Sequence, residues 1–359
     1  MADNSEDKSG KRKVPARRKA PARRKPAASS ESRTKTAAPA APTPRRKREK
    51  VLVTGAAGAL AQHVIALLKG DYDVVGVDFR GTQATHPDTV DYEVDFNKRT
   101  FEDVFRENDF AAILHLGRIR ATQLDRGRRY SSNVVGTERM LRLALKYGVE
   151  QVVVLSTFHV YGAHPSNPSL IDEDYPLMAA SQHEELVDAV ELENLANIYL
   201  YKHPELHITV LRPCNIVGPG ISNAIGKVLA QPVAPCLGGF SPLMQFIHVE
   251  DMAEAILAAY KGNVPGVYNV APDDWIAFQD ALEQAGCRRL FLPSIPPAIP
   301  RLLAGALGRY AFPTYLVDFF KYPVVLDGGK FARTFGFNPG YSYGDIFAYY
   351  RSHKGTVRL

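Results

Sequence analysis

Residues 50–78 read KVLVTGAAGALAQHVIALLKGDYDVVGVD, and this stretch limits the fold more than any other. An uncharged Val/Leu run ends in a glycine turn, a helical pattern follows at once, and a second apolar run closes on Asp78, 23 residues after Gly55. Gly55 permits the tight turn after the strand. Gly58 lets the backbone come close to a ligand, and Ala61 holds the helix near the sheet. The helix N-terminus, with the backbone of Ala57, Gly58, Ala59 and Leu60, then presents unpaired N–H groups suited to a pyrophosphate. A carboxylate at Asp78 accepts hydrogen bonds from a ribose diol and repels a 2′-phosphate, which favours NAD over NADP, although Arg80 stands close by. Residues 51–68 carry no formal charge, yet Gly55, Gly58, Gln62 and His63 argue against a membrane span there.

The same punctuation continues downstream. Strands are expected at VDYEVDF (90–96), AAILHLG (111–117), QVVVLST (151–157) and HITVLRP (207–213). Helices are expected at 101–108, 128–147 and 184–201. Continuous Val/Ile/Leu runs alternating with helices indicate a parallel sheet covered on both faces. The fold class is therefore α/β, a doubly wound Rossmann-type sheet, followed by a C-terminal segment that the family resemblance described below makes a small substrate lobe. The Rossmann domain is assigned to residues 50–275, with lobe insertions from about residue 213, and the lobe to 276–359. Within the lobe, Leu302–Tyr310 has the pattern of an amphipathic helix.

Residues 1–49 differ in kind. Residues 1–50 hold 17 Lys+Arg against 5 Asp+Glu, while the rest of the chain carries the remaining 27 against 33. PARRKA at 15–20 and PARRKP at 21–26 form a short tandem repeat, and β-branched apolar residues are almost absent, so a disordered basic tail is expected. Its composition resembles that of linker-histone tails, and it would attract nucleic acid or another polyanion by counterion release. A solubilising extension and a targeting address are the alternatives. Cys214, Cys236 and Cys287 are widely spaced without a CxxC pair, which indicates buried thiols, no metal site and a reducing cytoplasm. Nucleoid association is an option the tail opens. No secretory signal pattern is visible.

Taken together, TGAAGALA, Asp78, VDF with Asp95, HLG at 115–117, NVVGT at 133–137, STFHVYG at 156–162, LRPCNIVGPG, QFIHVEDMAEAI at 245–256 and GVYNVA at 266–271 resemble the extended short-chain dehydrogenase/reductase family, the NAD-dependent epimerases and dehydratases of nucleotide sugars. The resemblance runs from about Lys50 to Gly355. It implies that Asp95 and Phe96 lie at the adenine, that His115, Leu116 and Gly117 line the cofactor groove, and that Asn133 stands in the helix behind the site. Thr157 takes the place of the hydroxyl that bonds the reacting sugar oxygen. Pro213, Cys214 and Asn215 would lie near the nicotinamide, and Tyr161 would be structural. A homodimer through helices 128–147 and 184–201 is also implied.

The family's YxxxK pair is absent. Counting back from Arg212 puts Glu185 at the tyrosine place and Ala189 at the lysine place, with Glu193 matching a glutamate usual on that helix. No YxxxK occurs between 157 and 212, so a shift of register does not restore it. A phenol of ordinary pKa about 10, lowered by an ammonium, can accept an alcohol proton as hydride leaves; a carboxylate near 4.3 is a weak base for that purpose. Tyr175, His183 and His159 are the candidate replacements by proximity in sequence. In losing the pair, the chain is similar to a UDP-glucose 4-epimerase-like bacterial subgroup with a degenerate active site. Two functions follow: an NAD-dependent oxidoreductase or isomerase of a nucleotide sugar, or a non-catalytic NAD-binding sensor or scaffold tethered by its tail. The charged stretch RIRATQLDRGRR (118–129) would meet a diphosphate or form a solvated loop.

Overall fold

The computed structural model describes residues 48–80, 89–119, 125–292 and 314–355. Residues 1–47 of the expected disordered basic tail (1–49) and the amphipathic helix expected at Leu302–Tyr310 fall outside the described residues, as does the middle of the 118–129 stretch.

Seven strands form the central sheet: β1 (Lys50–Thr54), β2 (Asp73–Asp78), β3 (Val90–Glu93), β4 (Phe110–His115), β5 (Gln151–Leu155), β6 (His207–Pro213) and β7 (Gly266–Val270). Their order is β7-β6-β5-β4-β1-β2-β3, and every neighbouring pair is parallel. Six of these strands are the expected ones. The seventh, within GVYNVA, extends the sheet along β6 from Gly266 opposite Thr209 to Val270 opposite Pro213. The sheet is Rossmann-type.

Because successive strand residues face opposite ways, each strand feeds two cores. Val51 and Val53 pack in the layer with α1 (Ala59–Leu68), while Leu52 between them joins the opposite layer with Phe101, Met140 and Leu141. All three β1 residues are fully buried, each contributing about 1.5–3 kcal/mol. The second layer is built by α2 (Thr100–Glu107), α4 (Gly136–Lys146) and α5 (Val187–Lys202); α6 (Val249–Gly262) packs beside α1 on the first.

Two expected helices are modified near the site. The 128–147 stretch is a short helix α3 (Arg126–Tyr130), a π-turn at Ser131–Val135, and then α4. The π-turn accommodates Asn133, whose Oδ1 accepts the Ile119 N–H and whose Nδ2 donates to the Ile119 carbonyl, both at 2.8 Å. The 184–201 helix opens with a 3₁₀ turn at Glu184–Leu186 before α5, following extended backbone at His183.

The lobe draws on two parts of the chain. The strand Val233–Leu237 pairs with Arg288–Leu292, and Phe246, Phe278, Phe347 and Tyr350 share one core. Its last helix, Tyr343–Ser352, starts with a capping box between Ser342 and Asp345. Within the Rossmann part, Arg212 Nε at the end of β6 donates to Glu193 of α5 at 2.6 Å, with both residues buried. The Arg212 guanidinium also donates to the Tyr161 hydroxyl, at 2.6 Å, and that hydroxyl donates to Asn269 Oδ1 at 2.7 Å.

Candidate cofactor and substrate site

Between β1 and β4 the strand order reverses, and the backbones touch. Gly55 has φ +70°, and a Cβ there would lie 2.4 Å from Gly117 Cα; a Cβ on Gly117 would lie 2.9 Å from Gly55 Cα. Only hydrogens fit at these two positions. The crevice outside the strand ends at such a reversal is where open α/β sheets bind ligands. Gly58 caps α1 without a side chain, and the first turn of α1 carries no acidic residue, so its N–H groups open into the crevice.

Asp78, at the end of β2, is buried and already engaged. Its Oδ2 accepts the Ala57 N–H at 3.1 Å, and its Oδ1 accepts the Arg80 N–H at 3.0 Å and Arg80 Nε at 3.2 Å. The carboxylate therefore ties the glycine turn to β2, and a ribose diol would share it with a half-exposed guanidinium.

A chain of hydrogen bonds runs behind Gly117. Thr137 Oγ1 donates to the Asn133 carbonyl at 2.6 Å, so it accepts from His115 Nε2–H at 2.9 Å. His115 Nδ1 then accepts from Thr54 Oγ1 at 2.8 Å, and Thr54 Oγ1 accepts the Gly117 N–H at 3.4 Å. Only one neutral tautomer satisfies all four contacts. Burial keeps His115 neutral, pushing its pKa down to about 4.

One cavity of about 1650 Å³ runs from this crevice into the lobe. Each cofactor-site residue expected from the sequence, from Gly55 to Asn215, lines it, with Cys214, Thr157, Glu185 and Ala189. His115 stands in the layer behind the cavity wall, and Tyr161 is locked behind it by Arg212 and Asn269; burial raises the Tyr161 pKa well above the usual phenol range.

The three candidate replacements separate cleanly. Tyr175 is away from the lining and donates to Asn167 Oδ1 at 3.3 Å. His183 lies outside the lining, 3.3 Å from Asp318. His159 lines the cavity, with Nδ1 2.8 Å from Thr157 Oγ1. Burial, with the Arg118 charge adding, pushes the His159 pKa down to about 3, so the imidazole is neutral. Glu185 accepts from the Thr314 hydroxyl.

Sequence reasoning missed a buried ion pair beneath this region. Arg129 Nε donates to Asp188 Oδ1 at 3.1 Å, both residues about 5% exposed, and Asn133 Nδ2 donates to Asp188 Oδ2. Of the 118–129 stretch, read as either a diphosphate contact or a solvated loop, Arg129 is thus committed to the fold, Arg126 pairs with Glu184 at the surface, and Arg118 lines the cavity. Arg129 and Asp188 lie 59 residues apart, so no local pattern announces them. Sequence reasoning also missed Tyr315 and Phe319, which enter the cavity beside His159.

This fold and this crevice are those of a nucleotide-binding α/β protein. The model of the NAD dependent epimerase/dehydratase family matches residues 51–271, and the chain belongs to that family. It is similar to an uncharacterized protein of Mycobacterium tuberculosis, 23% identical over 235 residues, covering 63% of this chain and 61% of the relative. A UDP-glucose 4-epimerase of Bacillus subtilis is 29% identical over 192 residues, covering 49% of this chain and 56% of the relative. These matches span less than two thirds of the relatives' lengths. Among solved structures, the Thermus thermophilus UDP-glucose 4-epimerase in complex with NAD superposes with a TM-score of 0.67 at 20% identity, over 85% of this chain and 98% of that one. No helix among the described residues is long and apolar enough to cross a membrane.

Proposed function

We propose that the protein binds NAD along the crevice from Gly55 to Asn215 and performs slow hydride chemistry on an alcohol or ketone held at Thr157. The observation that carries this reading is the joining of a cofactor-shaped crevice and a large second chamber in one cavity, with the Thr157–His159 pair lining it. The Gly55–Gly117 approach brings β1 and β4 together at the floor of the crevice, and the N–H groups at the start of α1 face that crevice, where a pyrophosphate would sit. Bound there, NAD supplies a hydride acceptor. A substrate alcohol donates to Thr157 Oγ1, which donates in turn to the neutral His159 Nδ1. As hydride leaves the carbon, the alcohol proton passes to Thr157 and the Thr157 proton to His159, the relay running in reverse for a ketone. With Glu185 and Ala189 in place of the tyrosine and lysine, acid–base assistance worth about 10²–10⁴ in rate is lost, so turnover is slow. The names of the relatives make nucleotide sugars the first substrate class to test.

The test is hydride transfer. NAD-loaded protein is mixed with UDP- and GDP-sugars and with simple secondary alcohols, and reduced nicotinamide is followed by absorbance. Reduction that disappears in Thr157→Val and weakens in His159→Gln supports the reading; a flat trace with NAD bound refutes it. The loss of the Tyr–Lys pair favours a second reading, an NAD-binding sensor or scaffold held to a polyanion by the tail. That reading requires salt-sensitive binding of nucleic acid, abolished by deleting residues 1–49.

A further inference from the structure

The lobe half of the cavity has an unusual wall for a nucleotide site. Ile221, Val228, Leu237, Met244, Leu316 and Phe319 line it, from both parts of the lobe. Among the described residues of that half, neither an arginine nor a carboxylate reaches the cavity. Its cations are Lys227, which makes no ion pair among the described residues, and Lys321, whose Nζ lies 5.8 Å from the Phe240 ring centre. A diphosphate is held best where several charged donors converge, most often an arginine fork, and two single lysines, with Ser222, Asn223 and Gln231 as the uncharged polar side chains of that wall, do not make such a fork. The apolar wall is also continuous with the reacting centre. The Phe319 ring lies 4.7 Å from His159 and 5.7 Å from Phe158, next to Thr157.

We propose that this chamber takes an apolar carbon skeleton bearing a secondary alcohol or ketone, with the oxygen at Thr157 and the hydrocarbon body along Phe319, Leu316, Val228 and Met244. The inference rests on the proposed function for the placement of the oxygen, while the apolar chamber stands on its own lining. At about 1650 Å³ the whole cavity exceeds the roughly 300–1,000 Å³ of a single small-molecule pocket, leaving a second chamber beside the cofactor crevice.

The experiment is calorimetric binding of a homologous series of linear secondary alcohols to the full chain, with and without saturating NAD. UDP and UDP-glucose serve as competitors. Affinity should rise about fourfold for each added CH₂, the equivalent of about 0.8 kcal/mol of hydrocarbon burial. Val228→Glu should abolish that rise while NAD binding is retained. Leu243→Glu, at a half-exposed point of the same wall, repeats the test where folding tolerates a charge more readily. Affinity independent of chain length, or UDP-glucose binding more tightly than every alcohol in the series, overturns the proposal. Absence of NAD binding alongside an intact chain-length dependence would instead refute the cofactor reading and leave the apolar chamber standing.

Discussion

Substituting Gly55 by alanine tests the geometry on which the cofactor crevice depends. Two costs combine at this position. A left-handed backbone, φ +70°, costs a non-glycine residue about 1–2 kcal/mol. A new Cβ 2.4 Å from Gly117 Cα meets backbone that cannot rotate away, so β1 and β4 must separate, at about 1–3 kcal/mol for overpacking. The sum is roughly 2–5 kcal/mol, a fall in Tm on the order of 3–8 °C for a folded body of this size. Gly148 provides the control, because it has φ +67° and an added Cβ would meet nothing within 4 Å. Gly148→Ala should show the backbone cost alone, a drop on the order of 1.5–3 °C, with NAD affinity unchanged. Thermal melts and NAD calorimetry on both variants separate the contact from the strain. Equal melting of the two variants, with equal NAD affinity, would refute the close approach as the source of the crevice.

Three other outcomes follow from named contacts. Glu193→Ala strands Arg212 in the interior and should cost about 3–5 kcal/mol in chemical denaturation, with Glu193→Gln costing less. His115 is held neutral when folded, so the unfolded chain takes up its proton first; stability is full above about pH 6.5 and falls toward pH 4, by about 3 kcal/mol at most. His115→Asn should flatten that part of a denaturation–pH profile. If the chain dimerises through α4 and α5, the exposed Ile198 and Tyr201 are its contacts, and Ile198→Asp with Tyr201→Ser should yield monomers in sedimentation; a monomeric wild type would refute that arrangement.

How much of this could be read from the sequence depends on the range of the interaction involved. β1, β2, β4, β5 and β6 are buried on both faces, so each reads as an apolar run, and the glycine turn with Asp78 marks the crevice directly. β7 is harder to see, because Gly266, Tyr268 and Asn269 dilute its apolar character, and its place is fixed by pairing with β6. The π-turn at Ser131–Val135 answers a contact between Asn133 and Ile119 that exists only after folding. That no YxxxK occurs between 157 and 212 is read directly from the sequence. Which of His159, Tyr175 and His183 reaches the cavity is not, since all three are near in sequence and only side-chain direction separates them. The apolar chamber draws on residues from Ile221 to Phe319, a range no local pattern spans.

The central claim is that the cofactor crevice is intact in a chain with no YxxxK between 157 and 212. Calorimetric titration of the full chain with NAD tests it most directly. Saturable binding of one NAD per chain is expected, weakened by Asp78→Ala and left unchanged by Glu185→Ala. An absence of NAD binding by the folded protein, or binding indifferent to Asp78, would contradict it.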